Sequence, residues 1–226
     1  MEEKTIETQN QFQIDDYKRL GPVTLGPWTS HIYRTDPRHL SFLFARYKFC
    51  SKMLAGKSKV LEVGCGDAFG MPVVLQTVES IHGIDFEPLI LENAKIRFTA
   101  ENIDRCSFSV CDLTAQVVGG SFDAAYSLDV IEHVPIDAEK RFMSNLCASL
   151  TKSCVCLIGT PNIESQKYAS PASAAGHINL KSAHTLKELM SSYFENTFIF
   201  SMNDEVVHTG YYPMAHYLLA MGCGLK

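Results

Sequence analysis

The chain has 226 residues, 46% of them hydrophobic and 20% charged, with a formal net charge of -5. That balance belongs to a globular chain with a core of its own, and scattered Lys and Arg on an acidic background do not make the basic footprint that a phosphate backbone demands, so no nucleic-acid partner is expected. Eight cysteines with no CxxC pair build neither a disulfide scaffold nor a zinc knuckle. The charged N-terminus lacks an apolar leader and no run near eighteen apolar residues occurs, so a reduced, cytoplasmic protein without a membrane partner is expected.

Residues up to 35 carry little periodicity and several turn residues, notably LGPVTLGPWTS, and read as a mobile or draped arm holding the single tryptophan, Trp28. A helix start follows in TDPRHL, with Asp36 as N-cap, Pro37 at the first helical position and Gly56 just past the far end. Leu40, Leu43, Phe44, Tyr47, Cys50 and Leu54 recur at helical spacing and should share a buried face. Arm and helix, residues 1–56, thus precede a second unit, residues 57–226.

From there, short apolar runs alternate with helical stretches. KVLEVG, SIHGID, CSFSVCD, FDAAYSLD and CVCLIGT read as strands, and EPLILENAKIRFTAEN and DAEKRFMSNLCASL as helices. Strands buried on both faces and alternating with helices give a doubly wound parallel α/β sheet. In such a sheet the ligand lies outside the carboxyl ends of the strands, where strand order reverses. Cys154 and Cys156 face one side of their strand and read as core. Further on, Thr185 and Glu188 have capping-box spacing. Two strand-like runs, ENTFIFSMN and YPMAHYLLAMG, then follow with no helix between them, so the last strand should run antiparallel.

The chemistry concentrates in KVLEVGCGDAFG. A dinucleotide fingerprint would put a glycine where Phe69 stands, Gly70 arrives one residue late, and no GK[ST] follows for a P-loop. Asp85, at the end of SIHGID, stands where a carboxylate accepts from both hydroxyls of a ribose. A ribose-bearing ligand is therefore expected, with a nicotinamide oxidoreductase as the alternative enzyme.

Four segments in order, LEVGCGDAFG, GIDFEP, CDLT and SFDAAYSLDVIEHV, resemble the motifs of class I S-adenosylmethionine-dependent methyltransferases. Within that family they are similar to the small-molecule branch of ubiquinone-biosynthesis O-methyltransferases. The resemblance implies a Rossmann-like seven-stranded sheet with an antiparallel last strand, S-adenosyl-L-methionine as cofactor and a small-molecule acceptor, oxygen ahead of nitrogen. It implies that Glu62, Gly64 and Gly66 hold the amino-acid end of the cofactor, Asp85 the ribose and Phe86 one adenine face. Asp112 and Leu113 would meet the adenine edge, with Ser127 beneath the methionine moiety. Ala68 stands where the family has its third glycine, which implies a slightly displaced loop.

A hydroxyl acceptor calls for a general base. His133, beside Glu132 in VIEHVP, and His177, in the long Ser-, Ala- and Pro-rich loop after the fifth strand, are the candidates. The resemblance places an acidic and histidine cluster here, around a divalent metal in some relatives; no metal ligand is assigned. His184 reads as a helix-start residue and His82 as part of a strand. His31, Tyr33, Arg34, Arg38, His208, Tyr211 and Tyr212 could form an aromatic pocket with cationic partners, suited to a phosphorylated or nucleotide-linked sugar precursor. A homodimer, and a non-catalytic methyltransferase-like binding protein, are compatible with the same residues.

Overall fold

The apolar runs pair into one sheet in the computed structural model, which describes residues 4–226 apart from the side chain of Ala172; the first three residues of the arm lie outside it. In chain order the strands are β1 (Lys59–Val63), β2 (Ser80–Asp85), β3 (Cys106–Val110), β4 (Phe122–Leu128), β5 (Leu150–Pro161), β6 (Phe194–Asn203), β7 (Val206–His208) and β8 (Tyr217–Leu225). They lie in the order β3-β2-β1-β4-β5-β8-β6-β7. β1 to β5 are parallel, whereas β8 runs antiparallel to both β5 and β6. The expected antiparallel last strand is therefore present, slotted between β5 and β6. The sheet has eight strands rather than seven, because three residues in the stretch between β6 and β8 pair back onto β6 as β7.

The helices are α1 (Gln11–Leu20), α2 (Pro27–Thr35), α3 (His39–Met53), α4 (Met71–Leu75), α5 (Pro88–Ala100), α6 (Ile136–Ala148), α7 (Pro171–Gly176) and α8 (Ala183–Ser191). Alternation along the strands sorts side chains onto two cores. Val60, Ala124, Tyr126 and Leu157 meet Tyr47 and Cys50 of α3, Leu54 just past its end, Met71 and Val74 of α4 and Leu91 of α5. Leu61, Val63, Ala125, Cys156 and Ile158 meet Phe142 and Met143 of α6 and Leu186 and Met190 of α8. Cys154 and Cys156 are both buried on this second face. Removing this apolar surface from water, at about 25 cal/mol per Å², is the main force that flattens both helix layers onto the sheet.

Three details of the expected elements differ. The arm is helical rather than draped, with Trp28 on α2. α3 begins at His39 and not at Pro37: Asp36 closes α2 by donating its N–H to the Ile32 carbonyl, and its own carbonyl receives His39 N–H. Leu40, Leu43, Tyr47, Cys50 and Leu54 are buried as expected, but Phe44 is 43% exposed and packs its ring against Phe69. Finally, α8 is capped by reciprocal bonds between Ser182 and Thr185, while Glu188 faces His184 at 3.2 Å. No helix among the described residues is long and apolar enough to cross a membrane.

Candidate active site

Strand order reverses between β1 and β4, so the segments that follow them, 64–70 and 129–135, meet over the carboxyl edge of the sheet. Gly64 has φ +71°, and a Cβ there would come within 2.2 Å of Val130 Cγ2. Gly66 also lies in the left-handed region, at φ +53°, but open space stands where its Cβ would be. One glycine closes the two segments onto each other; the next leaves clearance for a ligand.

The other expected cofactor residues line the same edge. Asp85, ending β2, accepts the Gly66 N–H at 2.9 Å and the Glu87 N–H at 3.0 Å, which ties the loop to the strand. Phe86 beside it is 73% exposed. Beyond β3, Asp112 accepts both the N–H and the hydroxyl of Thr114, at 2.8 and 2.7 Å, and Leu113 is buried next to it. Ser127, near the end of β4, is buried with no hydrogen-bond partner for its Oγ. Glu62 lies deeper, beneath the loop. Its Oε1 accepts from Tyr47 at 3.2 Å and its Oε2 from Tyr126 at 2.7 Å. Burial pushes its pKa up to about 8 against the opposing pull of the two tyrosine bonds, with the charges of Asp85 and Asp67 adding to the rise.

Ala68 holds φ +57°, a conformation that costs a side-chain-bearing residue about 1–2 kcal/mol. Phe69 fills the place of the fingerprint glycine for a packing reason: its ring sits against Trp28, Phe44 and Tyr47, with centroids 5.7, 5.3 and 5.3 Å apart.

Across the edge, a short turn at Ile131–His133 follows β4. Glu132 is fully buried; Oε2 accepts from Thr160 Oγ1 at 3.1 Å, while Oε1 has no partner. Burial, followed by the charge of Asp129, pushes its pKa up to about 8. His133 Nδ1 lies 2.9 Å from the Gly176 carbonyl, which can only accept, so Nδ1 is the donor of that bond. The His177 ring meets the His133 ring edge-on at 5.1 Å, and its Nδ1 is buried without a partner. Burial, and then His133, lower the His177 pKa. One donor atom from each of Glu132, His133 and His177 falls within 4.8 Å of the others, a carboxylate and two imidazoles that could share a divalent cation. The loop that brings His177 here is tied down at its end. Asn179 donates its N–H to the Glu132 carbonyl at 2.9 Å and its side-chain amide to Glu139 at 2.8 Å, and Lys181 joins Asn179 at 2.7 Å and pairs with Glu139.

Three residues that the sequence reading passed over belong to this site. Arg46 of α3 pairs with Asp129 at 2.7 Å, and its guanidinium lies 3.7 Å above the centre of the Tyr217 ring. Arg46 Nε and the Tyr217 hydroxyl are buried without partners. The signal for Arg46 was a charge between Leu43 and Cys50 on an otherwise apolar helical stripe. The proposed pocket of arm and β6–β8 residues does not assemble. His31, Tyr33, Arg34 and Tyr211 are exposed, Arg38 faces Asp36, His208 bonds Asn203 at 3.1 Å, and Tyr212 lines a separate cavity with His184 and Lys187. Those side chains belong to short polar stretches that carry no buried apolar anchor, so nothing draws them together.

Residues 60–153 match the model of a family described as a methyltransferase domain. Ubiquinone biosynthesis O-methyltransferase of Dechloromonas aromatica (strain RCB) is 35% identical over 101 residues, 44% of this chain and 41% of that protein. The protein of the same name from Xanthomonas axonopodis pv. citri (strain 306) is 28% identical over 123 residues, 54% of this chain and 47% of that one. The chain thus spans under half the length of these curated relatives. Among solved structures, the methyltransferase domain of bacterial CtHen1-C superposes with a TM-score of 0.66 at 18% identity, covering 81% of this chain and 99% of that one. The N-methyltransferase NodS of Bradyrhizobium japonicum WM9, in complex with S-adenosyl-L-homocysteine, gives 0.63 at 14% identity, covering 92% and 97%. Residues 60–153 are thus similar to a methyltransferase-domain family, and the sheet built around them shares its fold with solved methyltransferase structures.

Proposed function

We propose that the chain binds S-adenosylmethionine over residues 64–70 and transfers its methyl group to an oxygen of a small-molecule acceptor. The observation that carries this reading is a row of buried polar atoms left without partners along one sheet edge: Ser127 Oγ, Glu132 Oε1 and His177 Nδ1. Buried polar groups are normally satisfied, so such a row is what a polar ligand would complete. The cofactor, when bound, supplies an electrophilic methyl group on a sulfonium. Glu62, Gly64 and Gly66 would hold its amino-acid end, Asp85 its ribose through lone pairs left free by the two backbone bonds, Phe86 a face of the adenine, and Asp112 with Leu113 the adenine edge. Ser127 would meet the methionine moiety.

For the acceptor, the lowered pKa of His177 keeps its imidazole neutral near pH 7, able to take a proton from a hydroxyl. His133 presents Nε2 beside it. The similarity to ubiquinone biosynthesis O-methyltransferases supports an oxygen acceptor. A phosphorylated or nucleotide-linked sugar precursor is one acceptor class within this reading. The test is mass spectrometry of an acceptor panel incubated with enzyme and S-adenosylmethionine. Wild type should add one methyl to a hydroxylated compound. His177→Ala should lose about 10²-fold or more in rate, the scale of one general base, with unchanged affinity for S-adenosylhomocysteine. Methylation confined to amines would overturn the oxygen assignment.

The 4.8 Å cluster favours a second reading, in which Glu132, His133 and His177 would hold a divalent cation and so supply Lewis-acid chemistry beside the acceptor. Chelation followed by added Mg²⁺ or Mn²⁺ separates the two. Turnover lost and restored supports the cation; turnover untouched supports the histidine base.

A further inference from the structure

We infer that Asp67 is a positioning residue that latches the helical arm to the glycine-rich loop, so that arm docking and cofactor binding form one coupled equilibrium. The inference rests on the reading that residues 64–70 hold the cofactor.

A helix start leaves backbone N–H groups without partners, and a Ser, Thr, Asp or Asn at the N-cap normally accepts from the second or third of them. α2 has Gly26 at this position and therefore no cap of its own. Its third residue, Thr29, instead donates its N–H to Asp67 Oδ2 at 2.8 Å and its hydroxyl to Asp67 Oδ1 at 2.9 Å. Asp67 occupies the space of the missing side chain, since a Cβ built on Gly26 would fall 2.4 Å from both the Cβ and the carboxylate of Asp67. The cap of the arm helix is thus supplied by the cofactor loop, 38 residues further along the chain. Both partners are sealed from water, Thr29 being 1% and Asp67 2% exposed.

Neighbouring contacts fix the same geometry. Arg97 of α5 donates to the Asp67 carbonyl and, at 3.4 Å, to the Thr24 carbonyl, bracketing loop and arm together. Ala68 makes the left-handed turn between Asp67, which faces Thr29, and Phe69, which faces Trp28. One residue before the latch is Gly66, whose N–H is held by Asp85 and whose Cα faces open space. The loop conformation that clears room at Gly66 is therefore the one that caps α2. By linkage, a ligand that orders the loop strengthens arm docking, and a docked arm strengthens ligand binding by the same factor. α3 follows α2 directly and carries Arg46 to Asp129, so the latch also sets a residue on the acceptor side.

Trp28 is the only tryptophan in the chain and, at 40% exposure, stands at the seam, so its fluorescence reports the latch directly. Acrylamide quenching of the full-length chain should fall when S-adenosylhomocysteine is added to wild type. Asp67→Ala should raise quenching of the free protein and weaken S-adenosylhomocysteine about tenfold, the scale of one lost cap passed through the coupling. Thr29→Val, which keeps the backbone bond, should move both readouts in the same direction by less, and it decides the matter if Asp67→Ala does not fold. A wild type that binds S-adenosylhomocysteine while both readouts of a folded variant stay at the wild-type level overturns the latch. A wild type that does not bind it overturns the cofactor reading and the coupling with it, whatever the variants do to Trp28.

Discussion

Gly64 and Gly66 share a backbone conformation but not a purpose. Alanine at Gly64 meets both an unfavourable φ and the Val130 side chain, so Gly64→Ala should cost about 2–4 kcal/mol of stability. Alanine at Gly66 meets only the backbone strain, about 1–2 kcal/mol, but fills the cleared space. Gly66→Ala should therefore fold and lose S-adenosylhomocysteine binding; thermal melts paired with calorimetry check both. Glu62 gives a pH signature. Its pKa rises from 4.5 in an ordinary setting to about 8 here, so the folded state holds this proton more tightly than the unfolded state. The associated stability is fully present below pH 4.5, declines as pH rises and is gone above about 8. Glu62→Gln should remove this slope, its melting temperature gaining on wild type from pH 5 to 8; parallel melting curves would contradict the buried, protonated carboxyl. The glycine loop and Asp85 were legible because their spacing along the chain is itself the chemistry. The tyrosines that hold Glu62, at positions 47 and 126, come from distant elements, and no local pattern marks them.

Among the elements, the strands from β1 to β5 and the antiparallel β8 were legible because buried strands are written as apolar runs. Ends were less so. α2 could not be seen as a helix from its own start signal, since its capping carboxylate is Asp67, and the three residues of β7 are too few to show a period. The loop between β5 and α8 reads as open chain, yet its end is held by the Glu139–Lys181 pair and Asn179. Both charged side chains are largely buried. Removing one partner strands the other, so Lys181→Met should destabilise the fold by about 3 kcal/mol, and adding Glu139→Gln should recover part of the loss. Urea unfolding of the single and double variants measures this, and additive losses would show that the pair does not act as a unit.

At the scale of the molecule, a doubly wound sheet collects its loops at one edge, and the site is assembled there from residues as far apart in sequence as Arg46 and Tyr217. Alternation of strand and helix made that edge foreseeable. How the arm lies across it was not, because Trp28, Phe44 and Tyr47 each set a ring against Phe69, a residue that looks in sequence like a damaged glycine motif. The central claim is that this edge holds a nucleoside that carries no phosphate. Isothermal titration of the full-length chain with S-adenosylhomocysteine tests it most directly, with Asp85→Ala alongside. The account predicts saturable binding at one site in wild type, weakened about 10- to 100-fold by Asp85→Ala, the scale of losing charge-assisted bonds to a ribose. No heat from S-adenosylhomocysteine up to millimolar concentration, or saturable binding of NADH in its place, would contradict it.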